Sequence, residues 1–298
     1  MSARRAYSSF PECNPEGTKV RNHGVFFVSS CLRGAAWLYS RTGHGTGRRL
    51  ILALVAVASL APAPAHAQNR GAPAPAPTAK ASAPIDLTGY WVAIVNEDWR
   101  YRMVTPPKGD YRGVPITKEA LQIVNTWDPA ADEAAGNQCR SYGAAAVMRV
   151  PGRIHVTWQD DNTLRLDTDA GTQTRLFQFA PLPAPAGAPT WKGHSTARWE
   201  RPAGRGNPVG ATRAGSLTVV TTNMRAGYLR KNGVPYSENA RVTEYFDVAP
   251  MPNNGQLLVV TTTVDDPRYL TQPFIVSSHF KKEADGSKWD PTPCSSTW

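Results

Sequence analysis

The chain has 298 residues, with 33 Lys plus Arg against 23 Asp plus Glu, 41% hydrophobic residues and four Cys. These proportions exclude a disordered, collagenous or disulfide-dense protein, and the lack of long apolar runs, sustained heptads or short-period repeats excludes a multi-span membrane protein, a coiled coil and a solenoid. The formal charge of +10 is unevenly spread: residues 1–67 carry 8 of the basic and 2 of the acidic residues, so the remainder is +4 with scattered Arg and Lys, which gives no reason to propose nucleic acid as a partner.

Residues 1–40 fit no targeting pattern and read as an upstream or extended leading segment without structure of its own. Residues 41–67 have the order of a secretory signal. Arg48 and Arg49 precede an apolar run from Leu50 to Leu60, and Ala65-His66-Ala67 supplies a small-x-small cleavage site before Gln68. The run is about 11 residues, too short to cross a hydrocarbon core of roughly 30 Å, so no stable membrane anchor is expected after cleavage. The expected location is periplasmic or secreted. Residues 68–85, nearly all Ala, Pro, Gly and Ser, hold too few large apolar groups to offset their ordering entropy and read as a flexible tether. Residues 86–298 then form one domain.

Within that domain the signal is mostly strand. Trp91 to Val95 is apolar and rich in β-branched residues. Ile154 to Trp158 alternates, turns at Gln159 to Asn162 and returns as Thr163 to Thr168, and a further turn at Asp169-Ala170-Gly171 leads into Thr172 to Phe179. Further strands are expected at His194 to Glu200, Leu217 to Asn223, Arg241 to Val248, Leu257 to Val264 and Phe274 to Lys281, separated by Gly, Pro and Asn. Two short helices stand out. Thr117 can cap one carrying Leu121 and Val124, and Asp128-Pro129 supplies an N-cap and first-turn pair for another that ends near Gly136.

About eight antiparallel strands with period-two patterning leave an all-β closed barrel or, as the alternative, a two-sheet sandwich. Gly89-Tyr90-Trp91 at the domain start resembles the opening of lipocalin and related calycin barrels, where a Trp plugs the closed end; the resemblance implies a calycin-like barrel. A second resemblance spans more of the chain. Gly193-His194-Ser195 with Trp199-Glu200, Leu217 to Thr222, Thr243 to Phe246, Val264-Asp265-Asp266-Pro267 and Thr271-Gln272-Pro273-Phe274 resemble a family of exported bacterial β-proteins of unassigned function. In that family Trp-Glu-Gly-Asp runs straight into the next strand, whereas Arg201 to Ser216 intervenes here. The resemblance implies export and β architecture, and no activity.

Cys13 and Cys31 lie before the cleavage point, which leaves Cys139 and Cys294. Two lone Cys in an oxidising compartment most often pair, and closing a loop of about 155 residues stabilises by roughly 5 kcal/mol at most on the chain-entropy model. The competing reading is a nucleophilic thiol, but neither Cys adjoins a His or sits in C-x-x-C.

The remaining motifs are weaker. Ser195 in Gly193 to Ala197 lacks the strand-turn-helix context of a nucleophile elbow. Asp167, Asp169 and Gly171 imitate a calcium loop, but its twelfth position is Gln178 instead of a bidentate Glu. His155, His194 and His279 show no ligand spacing, so no metal and no cofactor is implied.

The informative feature is polar residues set within strands: His155, Arg175, Arg198, Glu200, Glu244 and His279. Facing water they solubilise; facing the lumen they are desolvated and could position or protonate a bound molecule. The expected function is binding of a small hydrophobic or aromatic molecule in the lumen, with Trp91, Trp158, Arg175, Arg198, Trp199 and Tyr245 as candidate ligand contacts. The alternative is a hydro-lyase, isomerase or hydrolase acting on a hydrophobic substrate in the same cavity, with His155 or His279 and Glu200 or Glu244 as acid and base.

Overall fold

The computed structural model describes residues 76–179, 187–201 and 215–297. The expected leading segment, signal peptide and first part of the tether lie outside the described residues. All nine segments read as strands form, at β1 (Gly89–Ile94), β2 (Arg153–Asp160), β3 (Thr163–Thr168), β4 (Gln173–Gln178), β5 (His194–Glu200), β6 (Ser216–Thr222), β9 (Arg241–Met251), β10 (Gly255–Asp265) and β11 (Phe274–Lys282). They close in the order β1-β11-β10-β9-β6-β5-β4-β3-β2, with β1 paired to both β11 and β2. Closure removes both sheet edges, which excludes the sandwich.

Every pairing is antiparallel except β4 with β5, which run parallel through Phe177–Ser195 and Gln178–Thr196. A parallel pair cannot be closed by a two-residue hairpin, so β4 and β5 are joined by a longer connection. Both expected helices are present. In α2 (Lys118–Thr126) the Thr117 side chain accepts from the Ala120 N–H, and in α3 (Pro129–Ala134) Asp128 accepts from the Ala130 and Ala131 N–H groups.

Three features go beyond the sequence reading. A four-residue helix α1 (Trp99–Arg102) follows Asp98, and 3-10 turns occupy Gln138–Tyr142 and Val147–Arg149. A separate hairpin is formed by β7 (Gly227–Arg230) and β8 (Val234–Tyr236).

The barrel interior is layered. Trp91, Ile154, Val156, Leu164, Leu166, Phe177, Ala197, Leu217, Val219, Phe246, Leu258, Val260 and Phe280, drawn from all nine strands, pack into one apolar cluster that Val147 and Met148 join. A second cluster contains Val242, Val264, Phe274, Met224, Leu229, Val234 and Tyr236. Strand alternation puts a polar layer between them. Along β9 the inward residues read Val242, Glu244, Phe246; along β10 they read Val264, Thr262, Val260; along β11 they read Phe274, Ser278, Phe280 with Val276 between the first two.

The two ends of the barrel differ. The end where β1 begins, here the proximal end, is crossed by residues 78–87. The Ala79 N–H donates to Asn162 Oδ1 at 2.9 Å, the Lys80 N–H to the Asp161 carbonyl at 3.0 Å and Trp199 Nε1 to the Ala79 carbonyl at 2.8 Å. This part of the expected tether is therefore bound to the barrel, because its backbone groups find partners that its side chains do not supply. The opposite, distal end is covered by the helices, the 3-10 turns, the β7–β8 hairpin and the C-terminal tail. There Cys139 and Cys294 form the expected disulfide, 155 residues apart, which is compatible with an oxidising compartment.

Candidate functional site

Strand parity sorts the six embedded polar residues. Ile154 and Val156 point inward, so His155 points out; Ser195, Ala197 and Trp199 point inward, so Arg198 and Glu200 point out; Ser278 and Phe280 point inward, so His279 points out. Arg175 and Glu244 alone of the six face the interior.

Arg175 donates through Nη1 to Glu244 Oε1 at 2.9 Å and through Nη2 to Glu244 Oε2 at 2.5 Å, a two-pronged pair with both side chains almost fully buried. Nη2 also reaches Thr221 Oγ1 at 3.2 Å, which lies 2.8 Å from Ser195 Oγ. The guanidinium stands 4.9 Å from the Phe177 ring centroid. Ser195, buried in mid-strand against Thr221, is therefore no elbow nucleophile. Glu244 is committed to Arg175, and neither residue is brought to the other candidates.

The outward residues have local partners. Arg198 bonds Glu200 at 2.6 Å, and Glu200 accepts from Thr218 at 3.1 Å; the Arg198 and Thr218 hydrogen bonds hold the Glu200 carboxyl below its usual range. Tyr245 is exposed on the outer wall. His155 stacks face to face on Tyr90 with ring centroids 3.9 Å apart, and Trp289 meets both rings edge-on. Desolvation in this sandwich lowers the His155 pKa, with the Asp167 carboxylate acting weakly in the other direction.

His279 Nδ1 lies 3.0 Å from Glu97 Oε2 and 3.1 Å from Asn96 Oδ1. That His–carboxylate contact was missed because Glu97 follows β1 in a loop and carries no motif. None of the four proposed acid–base residues, His155, Glu200, Glu244 and His279, lies within hydrogen-bond reach of another; the carboxylate that His279 meets is Glu97.

The calcium-like turn is also used up internally. Asp167 bonds Arg165 and Thr174, and Asp169 accepts the Arg153 and Ala170 N–H groups, both at 2.6 Å. Among the described residues no group of three His, Cys, Asp or Glu side chains gathers to hold a metal.

The hollow expected in the lumen is occupied, through the middle of the barrel, by the side chains of the apolar cluster. Trp91 is fully buried in that plug, with Nε1 donating to the Leu87 carbonyl at 2.9 Å and Lys282 Nζ 4.8 Å from its ring.

Space is found instead at the proximal rim. A cavity of about 790 Å³ lies between Pro84-Ile85-Asp86 and the β9–β10 hairpin, lined there by Val248 to Met251 and Asn254 to Gln256. Its walls are largely apolar, with Asp86, Asn254 and Gln256 as polar groups. Ile85 and Val248 also pack on the core cluster, as do Trp158, Phe179 and Trp199. The last three meet one another with centroids 5.0–6.4 Å apart.

Local chemistry sets both walls. Asn253 and Asn254 take φ of 58° and 57°, a left-handed pair that Asn tolerates, and the Gly255 N–H returns to the Pro252 carbonyl at 3.2 Å. That tight turn closes the β9–β10 hairpin, pairing Met251 with Gly255 and Gln256 with Pro250. On the other side Asp86 Oδ1 accepts the Thr88 N–H and hydroxyl, at 2.9 and 2.7 Å, fixing the angle at which the chain enters β1.

Comparison of the chain with protein-family models, curated proteins and solved structures finds no match in any of the three.

Proposed function

We propose that this is an exported β-barrel that binds a small, largely apolar or aromatic molecule at its proximal rim. The observation that carries the reading is the rim cavity of about 790 Å³ between Pro84–Asp86 and the β9–β10 hairpin. Its size falls within the roughly 300–1,000 Å³ of small-molecule sites, and such sites combine apolar walls with a few polar groups that orient the guest. Export is supported by the signal-like order of Arg48-Arg49, Leu50 to Leu60 and Ala65-His66-Ala67, together with the Cys139–Cys294 disulfide.

Of the candidate ligand contacts, Trp158 and Trp199 adjoin this end of the barrel and remain partly exposed, whereas Arg175 is held in the interior and Arg198 and Tyr245 stand on the outer wall. A neutral guest is favoured because, among the described residues, the cavity offers one carboxylate, Asp86, and no cation.

The test is titration of the full chain with the neutral dye N-phenyl-1-naphthylamine and a panel of aromatic and alkyl compounds, read by fluorescence and melting temperature. Saturable binding that falls at least tenfold in Ala249→Arg and Met251→Glu supports the rim site. Binding untouched by both substitutions, or no stabilisation by any compound, removes it.

A further inference from the structure

The distal cap contains a concentration of buried cations that the rim site does not use. Arg102 comes from α1, Arg149 from the second 3-10 turn and Arg230 from the β7–β8 hairpin; their residues are 1%, 5% and 4% exposed. The sequence scatters them over about 130 positions, and the cap packs them around one small cavity together with Tyr101, Ser141 and Lys231.

Their partners account for only part of their hydrogen-bonding capacity. Arg102 donates to the Arg149 carbonyl at 2.8 Å and to Glu97 at 2.6 Å; Arg149 reaches Asp98 at 3.0 Å; Arg230 donates to the Arg112 carbonyl at 2.8 Å and lies 4.0 Å from the Tyr101 ring centroid. Arg102 Nη2, Arg149 Nη1 and Arg230 Nε are buried with no hydrogen-bond partner among the described residues. Glu97 and Asp98 sit toward solvent, at 29% and 38% side-chain exposure, so they neutralise the cluster from its edge.

These cations also lie close enough to act on one another. Burial, and then the charge of Arg149, lowers the pKa of both Arg102 and Arg230, the latter to about 10. Asp98 is itself held at φ 51°, a left-handed conformation unusual outside Gly, with its carboxylate against Arg149. Buried guanidinium groups are normally paired and fully bonded, because an uncompensated buried charge costs several kcal/mol. Three donors left over around one cavity mark a place where negative charge is stabilised.

Size selects the ligand. The cavity measures about 20 Å³, room for roughly one water-sized sphere. We infer that Arg102, Arg149 and Arg230 form a binding site for a single halide-sized anion, chloride by chemistry, which closes the distal cap. A tetrahedral oxyanion is larger than one water-sized sphere and serves as the control for size. The site stands on different residues, and at the other end of the barrel, from the rim cavity.

The experiment uses the full chain and three sodium salts at constant ionic strength: chloride, gluconate and sulfate. The melting temperature is expected to rise with chloride by about 3–5 °C per tenfold increase above the dissociation constant, and to stay level in gluconate and sulfate. Arg149→Met is expected to abolish the chloride dependence. If that variant does not fold, bromide soaked into crystals of the unsubstituted protein gives an independent reading, an anomalous peak among the three guanidinium groups. Equal melting in chloride and gluconate, an equal rise in sulfate, or bromide absent from the cluster each overturns the inference.

Discussion

The two ends of this barrel are covered by different means. At the proximal end a few hydrogen bonds from residues 78–82 and a ring of half-buried aromatics, Trp158, Phe179 and Trp199, lie over the core cluster, and the rim beside them stays hollow. At the distal end the Arg175–Glu244 pair in the barrel interior is overlaid by a second apolar cluster, the buried arginines and a disulfide. Where buried polar groups are matched, as Arg175 is by Glu244, the matching fixes geometry. The contrast concentrates covalent and buried-charge constraints toward the distal end and leaves open space at the proximal rim.

The sharpest way to break that contrast is to remove one member of the interior pair. Glu244→Leu strands Arg175 in the layer between the two clusters and is expected to cost about 3–5 kcal/mol in urea unfolding. Adding Arg175→Met to it should recover most of that loss, since apolar groups of similar volume need no partner. A double variant as unstable as the single one would show that the layer matters for some reason other than charge matching.

Next in size is the staple of the cap. Cys139→Ser with Cys294→Ser is expected to destabilise by about 2–5 kcal/mol. Hydrogen exchange should speed up around residues 138–142 and the C-terminal tail, while dye binding at the rim keeps its affinity; a loss of binding would mean the ends are coupled.

Gly233 tests the packing of the β7–β8 turn. Its φ is 79°, and an added Cβ would come 2.4 Å from the Trp127 Cβ. Gly233→Ala should therefore cost about 1–3 kcal/mol in thermal or urea unfolding, from backbone strain and overpacking together. A change within about 0.5 kcal/mol would show that Trp127 moves aside readily.

The smallest effect belongs to the outer wall. His155 has its pKa lowered in the fold, chiefly by desolvation. The unfolded chain then binds the proton first, so stability should be complete above about pH 6.5 and decline as pH falls below it. An NMR titration placing His155 above that value, or a pH profile unchanged by His155→Gln, would contradict the assignment.

Much of the barrel was readable because alternation is a local property. The strand His194–Glu200 carries its own boundaries, and Thr117 and Asp128 declare helix starts through side chains that accept the first N–H groups. The elements that were missed lack such marks. Val234-Pro235-Tyr236 is a three-residue strand containing a proline, and α1 starts at Asp98 with no side-chain cap. The rim cavity was hidden for a related reason: Pro84 and Ile85 belong to a stretch whose Ala and Pro content resembles a tether, and it is backbone hydrogen bonds to Asn162 and Asp161, the Trp199 bond to Ala79 and the Arg201 bond to Ser82 that keep its neighbours in place.

By itself the sequence determined nine of the strands, the turns between them and two helices, since each depends on neighbours a few residues apart, and it made the pairing of Cys139 with Cys294 an expectation that the tertiary structure met. Which side of each strand faces inward was left to closure, because alternation is symmetric until a barrel gives it an inside. Closure put Arg175 opposite Glu244 and turned His155 and His279 outward. The same folding brought Arg102, Arg149 and Arg230 to one point and moved the accessible space from the centre to the rim, outcomes set by side-chain volume and charge meeting across distances that no local pattern records.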